Sequence, residues 1–238
     1  MKSKKTALYI LLIYIAMQLS SFLFLRPLVH FIQGRHPEMS KSELILTSQG
    51  WYIFISMGFA LLISLILTSR DQTFWKIYKG SKASIPSSIL WGITGFFMVF
   101  VGQSIGAMIE GSLGITQKSE NTATLVSIAD VAPITIIALV FIGPILEEFI
   151  FRRVIFGSLV QTTNFFIAAI VSSIVFALIH LDFKHIIIYA ISGFIFAFLY
   201  HKTKRIMTSI IAHMMLNGFV TVFQLYQEPI RKFLEQYQ

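Results

Sequence analysis

The sequence predicts an all-α polytopic membrane protein, a bundle of about 7–8 transmembrane helices around a buried polar cavity. Three observations carry this expectation. Of the 238 residues 55% are hydrophobic, and the mean hydropathy is +0.76. Charged residues make up 13%, against about 25% in soluble domains. Apolar runs near 20 residues recur, about the length that crosses a bilayer core of roughly 30 Å. A soluble helical protein would show amphipathic stripes instead of runs that are apolar all round.

Seven spans follow from these runs, at 7–25, 44–68, 88–109, 131–158, 164–181, 184–200 and 206–226. The first begins after Lys2, Lys4 and Lys5 and resembles a signal peptide. It is long for one and lacks a small-residue cleavage site before Arg26-Pro27, so it reads as a retained helix. The stretch 26–43 reads as a polar loop with Pro27, Gly34 and Pro37, and 69–87 as a basic loop. Phe74 and Trp75 in that basic loop suit a membrane interface. The stretch 110–130 reads as a Ser/Thr/Asn-rich loop. An eighth, short helix is expected within 26–43 or 227–238. With no internal repeat and no soluble module, the chain reads as one integral-membrane domain, 1–238.

The net charge of +8 would suit a nucleic-acid binder, but in a membrane chain it reflects basic loops. The lipid bilayer is the expected partner and nucleic acid is not. Segments 2–5, 69–87, 152–153 and 202–205 hold 12 of the 19 Lys and Arg, which predicts a cytoplasmic N-terminus. The absence of cysteine excludes disulfides and a thiolate nucleophile.

The chemistry is expected around Gly143-Pro144-Ile145-Leu146-Glu147-Glu148-Phe149-Ile150-Phe151-Arg152-Arg153. Of the 11 acidic residues, only Glu147 and Glu148 fall inside a predicted span. An ionisable group at that depth costs roughly 2.5–3.5 kcal/mol on insertion scales. Glu148 and Arg152 are four apart, share a helix face and can pair. Glu147 lies about 100° round the helix and points elsewhere. Glu148 and Arg152 therefore read as scaffold, and Glu147 as the reactive carboxylate. The competing reading is a purely structural buried ion pair.

His180 ends the apolar run Phe176-Ala177-Leu178-Ile179. Ser209, His213, Asn217 and Thr221 form a polar stripe at helical spacing, as expected of a helix that faces a bundle interior or a watery cavity. Taken singly, each has an ordinary reading. A membrane His commonly bonds a neighbouring helix, and Asn217 can serve as helix–helix glue. Asp182, Lys184 and His185 read as a solvated turn, His30, His36 and His201 as loop residues, and Gly193 and Gly218 as close-packing positions. Helical rise places Glu147, His180, His213 and Asn217 within about 13 Å of one another in depth. Such a set suits water activation by Glu147 and His180, with His213 and Asn217 at an oxyanion. Glu147, His180 and His213 are equally an O, N, N set for zinc with a position left for water. The sequence leaves these two open.

Glu147-Glu148-x-x-x-Arg152, Phe176-x-x-x-His180 and His213-x-x-x-Asn217 resemble the three motifs of the CPBP intramembrane proteases. That family includes the type II CAAX prenyl endopeptidases and the bacterial Abi proteins. The resemblance implies a bundle of about eight membrane helices, with residues 131–226 as the catalytic core. It assigns Glu147 and His180 to water, His213 and Asn217 to the oxyanion, and Glu148 and Arg152 to the remaining motif positions. It also implies an endopeptidase acting on membrane-associated peptides or proteins. The N-terminal and loop features look bacterial, so precursors of bacteriocins or signalling peptides are expected substrates in a plasma membrane, or a role in self-immunity. The alternative is a catalytically silent scaffold or a transporter whose buried polar groups bind a partner or solute. A transporter would favour internal repeats and broken helices near midplane.

Overall fold

A computed structural model describes residues 2–236. Nine helices lie along these residues, with a short 3-10 turn, Phe183–His185, before the eighth: α1 (Lys2–Leu19), α2 (Ser21–Arg35), α3 (Lys41–Ser69), α4 (Ile85–Ser112), α5 (Glu120–Val131), α6 (Ile134–Leu159), α7 (Phe165–Leu178), α8 (Ile186–Thr203) and α9 (Ile206–Glu235). Among the described residues there is no strand. The class is as predicted, but the span count is lower. Five helices (α3, α4, α6, α8 and α9) are long and apolar enough to cross a membrane. The pair α1 and α2, bent by 48°, makes six if taken as one broken span.

The difference has local causes. The expected loop 26–43 is largely α2, which carries Pro27 internally and ends at Arg35. This supplies the additional helix, and α9 runs through the other expected place as far as Glu235. The expected loop 110–130 contains α5, started by Ser119, whose side chain accepts from Thr122 N–H. Helix α5 stops before Pro133, which pushes Ala132 out of the helical region, to φ −124° and ψ 83°. The expected span 164–181 is the 14-residue α7. It rises only about 21 Å, so His180 lies just past the end of a short helix.

Loops gather at two ends of the bundle. At one end Thr6 donates to Asp71 (2.7 Å), and Ala83 N–H donates to the Thr203 carbonyl (3.0 Å). Hydrogen bonds from Thr73 and Thr6 hold the Asp71 carboxyl below its usual range. Phe74, expected at an interface, is instead fully buried. Arg153 caps the Phe74 carbonyl, and its guanidinium lies 4.0 Å from that ring. At the other end Ser119 bonds Asp182, and Lys184 pairs with Glu120. Gly193 lets α8 approach α7, since a Cβ there would lie 2.9 Å from Ser173 Cα. At Gly218 the same test finds only ordinary contact, 3.5 Å from Val140.

Candidate active site

Helix α6 carries the acidic pair and is not wound uniformly. Ala138–Ile142 and Phe149–Phe156 form π-helix on either side of Gly143–Glu148. Such wide turns are rare and concentrate at functional sites. In the first, Gly143 N–H reaches back five residues to the Ala138 carbonyl. The next bond in that register would come from residue 144, which is proline and has no N–H. The Leu139 carbonyl is left without that donor, and Asn217 Nδ2 donates to it at 3.0 Å. In the second, Ser172 of α7 donates to the Phe151 carbonyl at 2.8 Å. Side chains from α9 and α7 thus stabilise the wide turns around Glu147 and Glu148.

Glu148 and Arg152 are both fully buried and pair at 3.2 Å, as their spacing predicts. The Arg152 guanidinium lies over Phe176 (4.6 Å) and Phe196 (5.1 Å). His213 Nδ1 donates to Glu148 Oε1 at 3.0 Å. A carboxylate only accepts, so this bond fixes a proton on Nδ1. The other ring nitrogen, Nε2, lies 3.6 Å from Glu147 Oε2. The His213 ring is stacked on Phe196 at 4.6 Å. Glu148 is enclosed, whereas the Glu147 side chain keeps 16% of its surface accessible. Ser209, His213 and Thr221 are buried and Asn217 is half-buried, so the polar stripe of α9 faces the interior.

His180 approaches from α7. Its Nδ1 donates to the Phe176 carbonyl at 2.8 Å, which leaves Nε2 as an acceptor. The Phe176 ring touches both His180 (4.8 Å) and His213 (5.8 Å). Glu148 therefore joins Arg152 to His213, and His213 in turn reaches Glu147, with His180 beside His213 across Phe176. Asn217 is one turn further along α9 and engaged with α6. Among the described residues no group of three His, Asp or Glu side chains forms a metal-ligand cluster.

Several further side chains differ from their sequence reading, and His30, read as a loop residue, lies within α2. Asp182 and His185 are buried, not solvated. His201 belongs to α8 and packs on Phe165 at 5.0 Å. Glu110, only 1% exposed, accepts from His185 Nδ1 (2.8 Å) and from Ile187 and Ile188 N–H (3.1 and 3.2 Å). The pair is 75 residues apart in sequence, so no local spacing signals it. Tyr189, stacked on His180 at 4.1 Å, was also not singled out. Its position one turn beyond His185 was the available signal.

Comparison with known proteins decides the family. A model described as "Type II CAAX prenyl endopeptidase Rce1-like" matches residues 129–219. "Putative membrane peptidase YdiL" of Bacillus subtilis is 42% identical, across 98% of this chain and 94% of its own length. The chain belongs to the Rce1-like CAAX protease family, also known as CPBP. "Membrane-embedded CAAX protease MroQ" of Staphylococcus aureus is 36% identical, across 97% of this chain and 94% of its own. "UPF0177 protein YxdF" of Lactococcus lactis is 39% identical over 79 residues, 33% of this chain and 43% of its own. No solved structure matches significantly. The chain is thus an integral membrane enzyme of the CAAX protease family with bacterial relatives. Its buried Glu/His group has the composition of a glutamate-type intramembrane peptidase.

Proposed function

We infer that this enzyme cleaves peptide bonds of membrane-associated proteins or peptides with a water activated by Glu147 and His180. One observation carries the reading. His213 reaches both glutamates, and of the two only Glu147 is open to a reactant. A water held between Glu147 and the free Nε2 of His180 gives one proton to the carboxylate while its oxygen attacks the scissile carbonyl carbon. The oxyanion that forms is met by His213 as the imidazolium, which keeps Nδ1–H on Glu148 and offers Nε2–H to the developing charge. The second N–H of the Asn217 amide is a further donor, since only one is used on Leu139. Collapse of the intermediate breaks the C–N bond, and the proton on Glu147 passes to the leaving amine. Removing one preorganised oxyanion donor costs about 10²–10³ in rate in well-studied cases.

Residues 131–226 are the catalytic core of a single domain, a reading supported by the family match to 129–219. The enzyme sits in a bacterial plasma membrane with its N-terminus cytoplasmic. The bacterial relatives support this, as do segments 2–5, 69–87 and 202–205, which meet at one end of the bundle and hold 10 of the 19 Lys and Arg.

The test reconstitutes wild type and Glu147→Gln separately in liposomes with a panel of membrane peptides, and reads the products by mass spectrometry. Cleavage by wild type that is lost in the variant is expected, with chelator without effect. Identical product profiles from two folded proteins would sink the peptidase reading. Chelator inhibition reversed by zinc would overturn the metal-independent chemistry.

A further inference from the structure

Water activation by this route depends on the ring plane of His180, which follows α7 and precedes a tight turn. Leu181, the next residue, has φ +53°, unusual for a side chain branched beyond Cβ. The chain leaves the site abruptly, and α7 holds the imidazole through the bond from Nδ1 to the Phe176 carbonyl and an edge contact with the Phe176 ring. One hydrogen bond and one edge contact leave a face of the ring unsupported by α7.

The missing constraint comes from α8. The Tyr189 ring lies face to face with His180, with centroids 4.1 Å apart and planes inclined by 26°. Phe176 touches the His180 ring at 4.8 Å and 62°. Tyr189 is itself fixed. Ser119 donates its one hydroxyl proton to Asp182 Oδ2 at 2.6 Å. The 3.2 Å contact between the Tyr189 and Ser119 hydroxyls therefore has tyrosine as donor. Asn121 Nδ2 donates to the Tyr189 oxygen at 3.4 Å. The proton direction is continuous, from Asn121 to Tyr189 to Ser119 to the Asp182 carboxylate. Ser119 also caps α5, so this hydroxyl joins α5, the turn after His180 and α8.

We propose that Tyr189 is a positioning residue for His180, stacking on the imidazole so that the Nε2 lone pair stays directed at the water beside Glu147. The assignment rests on the peptidase reading of that site. It also gives α5 a function. Ser119 and Asn121 at its start hold the tyrosine, so displacement of that segment loosens the catalytic histidine.

The experiment uses the full chain in lipid nanodiscs and two readouts. One is cleavage of a fluorogenic peptide chosen because wild type cuts it and Glu147→Gln does not. The other is NMR of isotope-labelled histidine, with His180 assigned from His180→Gln. Tyr189→Leu is expected to lower kcat by about 10²-fold, the effect of a misplacement near 1 Å, with KM little changed. It is also expected to remove the upfield ring-current shift of His180. Tyr189→Phe keeps the stack and is expected to restore the shift and most of kcat. In a His180→Ala background, Tyr189→Leu is expected to cost nothing further. An unmoved His180 resonance in folded Tyr189→Leu overturns the proposal, as does full additivity with His180→Ala. Equal loss in Tyr189→Phe and Tyr189→Leu overturns stacking as the cause. If no peptide is cut by wild type, the peptidase reading fails, and the NMR arm still decides whether Tyr189 orders the ring.

Discussion

Two buried glutamate–histidine groups stand in this molecule, and they are built oppositely. At one end of the bundle Glu110 accepts from His185 Nδ1 and from two backbone N–H groups at the start of α8. Both of its oxygens are occupied, and it caps a helix where a negative charge is favoured. In the middle of α6 the work is divided between two neighbours. Glu148 takes Arg152 and His213, and among the described residues Glu147 has only the 3.6 Å approach of His213 Nε2. The same residue types thus make a fastener in one place and a reactive group in the other. What separates them is unfilled hydrogen-bonding capacity together with access.

The largest expected effect follows from that division. Glu147→Gln removes the proton acceptor, and general acid–base catalysis is worth about 10²–10⁴-fold. The folded structure should barely change, because Glu148 still holds His213. Cleavage rate and thermal unfolding measured on one preparation check both halves. A variant that loses stability in step with activity would return Glu147 to the structural class. Arg152→Met should act in the opposite sense. It strips the partner from the enclosed Glu148, and breaking a buried pair costs about 3–5 kcal/mol. Chemical denaturation in mixed micelles should register this as a lost or shifted transition.

Glu110→Gln sharpens the comparison from the other side. The isosteric amide can still accept but carries no charge for His185 and the helix start. Hydrogen bonds to charged groups contribute about 1.5–3 kcal/mol. The expected result is a lower unfolding temperature with kcat per folded molecule within a few-fold of wild type. A kcat loss as large as that of Glu147→Gln, in protein that is still folded, would mean that the two groups are not separate.

The sequence was most legible where signals are local. Apolar run lengths located the long helices, and the four-residue spacing of Glu148 and Arg152 predicted their pair. The helical repeat of Ser209, His213, Asn217 and Thr221 predicted an inward face. What it concealed depends on contacts made across the chain. Glu110 looked like the first residue of a polar loop because its partners lie beyond residue 180. Asp182 and His185 looked solvated because burial of a turn depends on what folds over it, here Ser119 and the end of α4. Helix α5 was hidden by its polar composition, although Ser119-Glu120 is a recognisable start and Pro133 a recognisable stop.

The smallest expected effect separates two duties of one residue. Asn217 stabilises the carbonyl that Pro144 leaves unpaired, and it is also the proposed second donor to the oxyanion. Asn217→Ala alone confounds them, because an unsatisfied buried carbonyl costs about 1–3 kcal/mol while catalysis also falls. Pro144→Ala restores an N–H at position 144, able to reach Leu139 within α6 itself. In the double variant the helix no longer needs Asn217. Unfolding measurements should then show most of the stability recovered, a coupling detectable by a double-mutant cycle. Cleavage should stay depressed if Asn217 also faces the reacting oxygen. Recovery of both together would make Asn217 a fastener like Glu110 and leave His213 as the donor to the oxyanion.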